Sequence, residues 1–464
     1  MRVVLADLKG KTGCVSKDTV AGGYGSRLRP FSRVAMVMGR IKKRLHSPSS
    51  VQMAYLAALA AERGHEVIWT TDEPVDGDVA LILSSLVDHR AETAWADAMR
   101  ARGVRVGFVG LAASKMPELF RDHADFVIAG EPEEAAIRLF DGEALSGMAI
   151  SAQLDDLDAL PFPRWDLIGH KARQAGGKLL VRPIGGAFPV LASRGCPEFC
   201  TYCPHRILAG HRERSVASII KELEYLCDSH PNPYVIFRDP LFTQDRARCL
   251  ALADEIVARG LKLRFECETR LDRLDESLLQ SLHRAGLRAM SFGVESLDPA
   301  TLKKAGRRPI PPEQQRAILS FCRSLGIKTA AFYVFGFLQD SWDSIAQTID
   351  YAIQLGSTFA QFKILTPYPG TPLWKQMNHL VYEQNWEEFD GFTPTFNHPN
   401  LTTNEMNFLL GAAYARFYVR PTFLANLLGI QSAPIRQVLR KLDTRVFAHQ
   451  SQREIEAVSR AVSC

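Results

Sequence analysis

Residues 190–203 read Val-Leu-Ala-Ser-Arg-Gly-Cys-Pro-Glu-Phe-Cys-Thr-Tyr-Cys, so the end of an apolar strand leads into a loop that carries three cysteines. The chain has nine cysteines in 464 residues, and six of them stand singly, where they are expected to fill core or strand positions. The other three, Cys196, Cys200 and Cys203, fall within eight residues. Thiols this close in sequence predict a set of metal ligands on one loop.

The composition is that of an ordinary globular protein with about three domains, at roughly 150 residues per domain. Hydrophobic residues make up 46% and charged residues 23% of the chain, which excludes bulk disorder. The net charge of +5 is mild for this length, so no nucleic-acid partner is expected. No apolar run approaches the ~20 residues that span a bilayer, and the first residues do not resemble a signal peptide. We therefore expect no transmembrane segment and a cytoplasmic location, where thiols stay reduced.

Short apolar strands alternate with helical stretches from Arg2 to about Glu134. Such alternation predicts an α/β fold with a parallel, doubly wound sheet, which binds ligands at the carboxyl ends of its strands. The strands of this front sheet are predicted at residues 3–6, 65–69, 79–83, 104–109 and 125–128.

After a proline-broken stretch, the alternation resumes near Val190 with six β/α units, which indicates an open or partial barrel rather than a second two-sided sheet. The strands of this barrel sheet are expected near residues 189–193, 234–237, 263–268, 289–294, 329–335 and 358–364. Beyond Pro372 the sequence becomes aromatic and helical. The predicted regions are a front domain at 1–150, a linker at 151–185, the barrel at 186–375 and a small helical C-terminal region at 376–464.

Three cysteines on one loop suit an iron–sulfur cubane that keeps one iron open. Each iron of a [4Fe–4S] cluster takes one outside ligand, usually a thiolate. Three thiolates therefore leave one iron free, as open metal positions do in reactive sites. The alternative is a structural zinc site or an electron-transfer cluster, in which His205 or His211 would be the fourth ligand.

The spacing Cys-x3-Cys-x2-Cys, with the aromatic Tyr202 before the last cysteine, resembles the radical S-adenosylmethionine (radical SAM) superfamily. The resemblance covers residues 190–372. It implies that Cys196, Cys200 and Cys203 hold a [4Fe–4S] cluster whose open iron is chelated by SAM. It also implies reductive cleavage of SAM to a 5′-deoxyadenosyl radical, with an external one-electron reductant such as flavodoxin or ferredoxin.

Residues on the following strands match positions that contact SAM in this family. By the two-residue period of a strand, Glu266, Glu268 and Arg270 share one face. SAM needs carboxylates near its ribose hydroxyls and ammonium, and a cation near its own carboxylate. Asp239 lies in an Arg-Asp-Pro sequence where the family has a glycine-rich motif, so it departs from the family pattern. The SAM contacts that the resemblance implies are Tyr202, Asp239, Glu268, Arg270, Glu295 and Arg307.

The front region resembles the Rossmann-like, cobalamin-binding-type domain that precedes the radical SAM domain in one large branch of the superfamily. The resemblance rests on residues 48–67 and on Asp-Phe-Val-Ile-Ala-Gly-Glu-Pro-Glu at 125–133. It implies corrinoid contacts from two loops, one at Ser84 and one ending at Ser114, although both could equally be ordinary connections. The chain lacks the Asp-x-His-x-x-Gly motif that supplies a histidine ligand to cobalt.

Together the two resemblances predict a cobalamin-dependent methyltransferase that acts on an unactivated centre of a small molecule, a lipid or a natural product. A radical SAM oxidative cyclase or rearrangement enzyme, similar to the anaerobic cyclase of bacteriochlorophyll synthesis, is the alternative. A tRNA methylthiotransferase is disfavoured, because such enzymes carry a second cluster in the front domain, where this chain has only Cys14. A non-enzymatic electron carrier would leave the predicted SAM contacts without a role.

Overall fold

The computed structural model describes residues 1–8, 10, 14–17, 23–28, 49–168, 187–421 and 423. Residues 169–185 of the predicted linker (151–185) and residues 422 and 424–464 of the predicted C-terminal region (376–464) lie outside the described residues. Among the described helices, none is both long and apolar enough to cross a bilayer.

The front region is built around a six-stranded parallel sheet with the order β4-β1-β5-β6-β7-β8. Its elements in chain order are β1 (Arg2–Ala6), β2 (Cys14–Ser16), β3 (Ser26–Leu28), α1 (Val51–Glu62), β4 (Glu66–Thr70), β5 (Val79–Leu83), α2 (His89–Arg100), β6 (Arg105–Val109), α3 (Leu111–Lys115), β7 (Phe126–Ala129), α4 (Glu133–Phe140) and β8 (Gly147–Ile150). Strand order reverses between β1 and β5, so their carboxyl ends form the switch point where such sheets bind ligands.

The sheet is covered on both faces, which confirms the predicted doubly wound fold. Alternate strand residues point to opposite sides, so Val4 packs with Trp95 of α2, whereas Leu5 packs with Met53 of α1. Helix α1 is buried on two sides, because its Tyr55 reaches the core of the second sheet. Strand β8 and the antiparallel β2–β3 hairpin were not predicted.

The second half forms a six-stranded parallel sheet in sequential order β9-β12-β13-β14-β15-β16, which confirms the predicted partial (β/α)6 barrel. Its elements are β9 (Ala187–Val190), β10 (Ser193–Arg194), α5 (His205–Leu208), β11 (Arg212–Glu213), α6 (Val216–Ser229), β12 (Tyr234–Phe237), α7 (Arg246–Ala258), β13 (Arg264–Thr269), α8 (Glu276–Ala285), β14 (Leu287–Glu295), α9 (Pro299–Lys304), α10 (Pro312–Ser324), β15 (Lys328–Phe335), α11 (Trp342–Leu355) and β16 (Phe359–Ile364).

After the barrel sheet come α12 (Pro372–Met377) and α13 (Thr403–Tyr418). The described segment between them is mostly irregular rather than helical, with two short 3₁₀ turns and one isolated β-bridge. The division of the chain into four regions stays a prediction.

The carboxyl ends of the two sheets face each other. Tyr24, whose carbonyl accepts a hydrogen bond from Leu86 after β5, stacks on Tyr368 beyond β16 with ring centroids 5.1 Å apart. On the other side, Glu133 after β7 accepts a hydrogen bond of 2.7 Å from Arg194 after β9. Ligands bound at the two carboxyl edges would therefore share one space between the sheets.

Candidate active site

The cysteine loop starts where the chain leaves β9 and forms the short antiparallel pair β10–β11. Gly195 follows with a φ of +70°, and a Cβ there would lie 2.5 Å from the carbonyl oxygen of Gly210. Only glycine allows both this conformation and this close approach. The tight turn at Gly195 sets the direction in which Cys196 enters the loop.

None of the three cysteines forms a disulfide bond, and they lie close enough to influence one another electrostatically. Burial raises the pKa of the Cys203 thiol to about 12, and the neighbouring Cys200 and Cys196 thiols raise this pKa further. Burial is also the main reason that the pKa of Cys196 is raised. Such thiols stay protonated in the free protein, so binding of iron must displace their protons.

Neither histidine considered as a fourth ligand stands free beside the thiols. His211 Nε2 lies 3.3 Å from a carboxylate oxygen of Glu213. His205 is buried, and its backbone N–H donates a hydrogen bond to Cys203. Within the described ranges, no three His, Cys, Asp or Glu side chains converge on a single ion. A cubane needs no such convergence, because each thiolate binds a different iron, so the three thiols fit three corners of a [4Fe–4S] cluster.

Backbone hydrogen bonds hold the loop against the segment that follows α9 and against α12. The Thr201 N–H donates to the carbonyl oxygen of Ala305 at 2.9 Å, and the Leu373 N–H donates to the carbonyl oxygen of Thr201 at 3.0 Å. The Arg307 guanidinium reaches Cys200 Sγ at 3.8 Å. The loop is therefore anchored at its centre by elements of the barrel.

Three of the predicted SAM contacts lie together beside Cys200. Arg307 Nη2 is 3.6 Å from Glu295 Oε1, and the Tyr202 side chain hydrogen-bonds with the Glu295 carboxylate. Burial raises the pKa of Glu295, while the positive charge of Arg307 opposes this shift. Glu295 ends β14 with a φ of +65°, a strained conformation for a residue other than glycine. Strain at this position indicates that the site depends on where the carboxylate points.

Gly293 provides the room for this arrangement. Its carbonyl oxygen accepts a hydrogen bond of 2.7 Å from Arg307. A Cβ at Gly293 would lie 2.0 Å from Glu295 Oε1 and 2.8 Å from Arg307 Nη2. Any side chain here would displace the ion pair. Gly293 was not among the predicted site residues, although its place in the Phe-Gly-Val-Glu sequence at the end of a strand is a signal.

Glu268 and Arg270 extend from β13 toward the same end of the barrel. Glu268 is partly buried, and its Oε1 lies 3.5 Å from Nη1 of the fully buried Arg238. Arg270 forms two hydrogen bonds of 3.0 Å with Asp272 and lies 3.6 Å from Glu198 in the cysteine loop. The structure thus places Glu268 at the barrel mouth, whereas Arg270 braces the loop.

Asp239 supports the start of the cysteine loop. Its side chain is fully buried, and burial raises its pKa. Oδ2 accepts a hydrogen bond of 3.1 Å from the Ala192 N–H, and Oδ1 accepts one of 2.5 Å from the Ser193 hydroxyl. Both oxygens already have partners within the protein, so a SAM contact from Asp239 stays a prediction.

Ser84 and Ser114 lie at the carboxyl edge of the front sheet, and Ser84 follows β5 at the switch point. The Ser84 hydroxyl donates to the Val109 carbonyl at 2.8 Å and accepts from the Ala113 N–H at 3.0 Å. The Ser114 hydroxyl donates to the Gly110 carbonyl at 2.8 Å. The two hydroxyls tie the edge loops together, so their corrinoid contacts stay predictions.

Comparison with known proteins agrees with this geometry. Residues 190–352 match the Radical SAM superfamily model. An uncharacterized methyltransferase of Pyrococcus horikoshii is 30% identical over 275 residues, which are 58% of this chain and 58% of the relative. The anaerobic magnesium-protoporphyrin IX monomethyl ester cyclase of Cereibacter sphaeroides is 25% identical over 324 residues, which are 64% of this chain and 52% of the relative. This chain thus spans between about half and three fifths of these two curated relatives.

Among solved structures, the chain is similar to TsrM from Kitasatospora setae, a radical S-adenosylmethionine methyltransferase solved with cobalamin and a [4Fe-4S] cluster bound. The TM-score is 0.61 at 15% sequence identity, and the match covers 96% of this chain and 99% of that chain. At this identity the match shows a shared fold across both sheets. The three cysteines on one loop at the mouth of a partial barrel lie within residues 190–352, and this part of the chain is a radical SAM domain.

Proposed function

We propose that this chain is a cobalamin-dependent radical SAM methyltransferase that methylates an unactivated centre. The observation that carries the proposal is that the carboxyl ends of the two sheets face each other, with the cysteine loop on one side and the switch point of the front sheet on the other. When bound, the cluster and SAM supply a carbon radical, and cobalamin supplies a methyl group.

In this proposal, Cys196, Cys200 and Cys203 hold the cluster, and the barrel mouth binds SAM. The buried Glu295 carboxylate, held by Arg307, accepts hydrogen bonds from SAM. Arg307 neutralises negative charge next to Cys200. The predicted SAM-contact roles of Tyr202, Asp239, Glu268 and Arg270 belong to the same proposal.

For cobalamin, the front sheet offers the edge that follows β5 and β6. Because the hydroxyls of Ser84 and Ser114 already bond within the protein, we expect the two loops to hold a corrinoid through backbone groups. Gly110, with a φ of +105°, allows the backbone to come close to a ligand there. The fold shared with TsrM supports this assignment.

The second candidate is a radical SAM cyclase or rearrangement enzyme that transfers no methyl group. The match to the magnesium-protoporphyrin ester cyclase supports it, because this relative aligns with 64% of this chain. For either activity we propose a small-molecule, lipid or natural-product substrate, flavodoxin or ferredoxin as the reductant, and a cytoplasmic location.

The test is anaerobic reconstitution with iron, sulfide and hydroxocobalamin, followed by incubation with methyl-labelled SAM and dithionite. A methyltransferase should form 5′-deoxyadenosine and S-adenosylhomocysteine and place the label on the corrinoid, as read by mass spectrometry. A cyclase should form 5′-deoxyadenosine without transferring the label.

The matched control is Cys200→Ala, which removes one cluster ligand from the barrel and leaves the front sheet untouched. This variant should lose iron and 5′-deoxyadenosine formation but still bind the corrinoid, as shown by its visible absorption. If the reconstituted wild type forms no 5′-deoxyadenosine, both candidate functions are wrong.

A further inference from the structure

The cysteine loop presents a large apolar side chain to solvent. Phe199, which directly precedes Cys200, is 65% exposed. Most phenylalanine side chains in the described residues are buried, so an exposed ring between two cluster cysteines is unusual. The backbone around it is fixed, because the Phe199 carbonyl oxygen would lie 2.4 Å from a Cβ at Gly306.

Basic side chains lie on the segment that packs against the Phe199 backbone. The segment that packs on the Phe199 backbone ends α9 with Lys303 and Lys304, both exposed, and continues to the exposed Arg308. Two of the acidic groups nearby form ion pairs, because Asp272 lies 2.6 Å from Arg308 and Glu198 lies 3.4 Å from Arg273. Outside the Arg307–Glu295 pair, the exposed or half-buried cations of this region are Arg273, Lys303, Lys304 and Arg308, against the carboxylates Glu198, Asp272 and Asp298. The surface therefore carries a net positive charge around an apolar centre.

We propose that this surface, formed by Phe199, Lys303, Lys304 and Arg308, docks a small acidic one-electron carrier protein that reduces the cluster. The inference rests on the proposed function, because reductive cleavage of SAM requires such a donor. In the transfer, the carrier loses one electron and the cluster gains one, and no bond is made or broken.

The physical properties of the surface suit a brief encounter. Opposite charges steer an acidic partner toward the patch and raise its association rate, and electron-transfer complexes bury little area. An exposed aromatic ring adds apolar contact at the centre, where a few residues dominate binding. The loop that carries Phe199 also carries the cluster ligands, so docking here brings the donor next to its acceptor.

The experiment uses the reconstituted holoenzyme and flavodoxin as the probe. The charge-reversal variant is Lys303→Glu with Lys304→Glu, and the matched control is Lys262→Glu with Lys328→Glu. Both control lysines are exposed. Lys262 precedes β13, and Lys328 is the first residue of β15, so both lie at the amino ends of the strands, opposite the cysteine loop. Calorimetry measures flavodoxin binding at low and at high salt, and 5′-deoxyadenosine is measured with reduced flavodoxin or with dithionite.

At low salt, the charge-reversal variant should bind flavodoxin at least tenfold more weakly than wild type, and salt should affect its binding little. Its dithionite-supported turnover should stay within twofold of wild type. The control variant should behave as wild type in every assay. Equal flavodoxin binding by wild type and the charge-reversal variant would overturn the docking surface. Absence of 5′-deoxyadenosine with dithionite in wild type would instead overturn the proposed function, while the binding measurement still decides the surface.

Discussion

At the scale of single residues, the site depends on the left-handed backbone conformation of Glu295, which brings its carboxylate to Arg307 and Tyr202. Glu295 takes a φ of +65°, which bends the end of β14 and points its carboxylate at Arg307 and Tyr202. A left-handed conformation in a non-glycine residue costs on the order of 1–3 kcal/mol, and the surrounding contacts must offset it. Gly293 makes this geometry possible, because the volume of its missing side chain is filled by the Glu295 carboxylate.

Gly293→Ala should therefore disrupt SAM binding while the fold is retained. The new methyl group would meet Glu295 Oε1 at 2.0 Å, so the carboxylate must move away from Arg307. We expect SAM affinity to fall at least tenfold, about 1.4 kcal/mol, as measured by equilibrium dialysis of the reconstituted enzyme.

The control is Gly411→Ala in α13, where nothing lies within 4 Å of the added Cβ. Replacing a glycine within a helix should stabilise the protein by roughly 0.5–1 kcal/mol and leave SAM affinity unchanged. Unchanged SAM affinity in Gly293→Ala would contradict the role assigned to the Glu295–Arg307 pair.

At the scale of elements, α13 covers the edge strand of the barrel sheet, and a buried carboxylate shapes the loop after β15. Strand β16 is an edge strand, and the hydroxyls of Tyr414 and Tyr418 on α13 hydrogen-bond to the backbone of Phe362 and Ala360. This pairing covers the free edge, which would otherwise be open to another strand. The loop after β15 is shaped by the buried Asp340, whose Oδ2 accepts hydrogen bonds from two backbone N–H groups.

The raised pKa of the Asp340 carboxyl predicts that the stability of the protein depends on pH. Burial raises the pKa of this carboxyl to about 7, so the folded protein binds the proton more tightly than the unfolded chain does. The resulting stability is present at low pH and is lost as pH rises from about 4 to about 7. Asp340→Asn keeps an acceptor oxygen without the charge. The unfolding free energy of this variant should therefore change less over this pH range than that of wild type, by roughly 2–4 kcal/mol.

Urea unfolding of wild type and variant between pH 5 and pH 8 measures this difference. The exposed Asp254→Asn is the control and should follow wild type. Parallel pH profiles for wild type and Asp340→Asn would show that the buried carboxyl has no such effect.

At the scale of the whole molecule, a buried ionic network connects the front sheet to the cysteine loop. Arg194, directly before the Gly195 turn, pairs with Glu133 at 2.7 Å and with Glu131 at 3.5 Å. Arg212 on the neighbouring strand β11 pairs with Glu131 as well. Tyr55 of α1 covers the Arg194 guanidinium at 5.1 Å from its ring centroid. These contacts join the first residues of the loop to the carboxyl edge of the front sheet.

Arg194→Met should destabilise the protein by about 3–5 kcal/mol, because Glu133 would stay buried without its partner. Chemical denaturation under anaerobic conditions measures the change. Arg246→Met, which breaks the exposed ion pair with Asp275, should produce no measurable change. Equal stability of both variants would mean that the network does not join the two halves.

The sequence by itself determined the order of strands and helices, since periodicity is a local property of each segment. Strands such as Val79–Leu83 and Tyr234–Phe237 lie where the alternation predicts them, and the trio of cysteines is visible from spacing alone. Strand β9 was predicted a few residues late, because Ser193–Arg194 is extended but pairs with β11 instead of the barrel sheet.

Only the tertiary structure decided which groups the predicted residues contact. Asp239 and Ser193 are 46 positions apart, and Arg194 and Glu133 are 61 positions apart, so no local pattern relates them. Whether a polar side chain faces a ligand or supports a loop depends on which backbone groups the fold brings within hydrogen-bonding distance. The same holds for the contact between the two carboxyl edges, because it arises from the packing of two sheets that are distant in sequence.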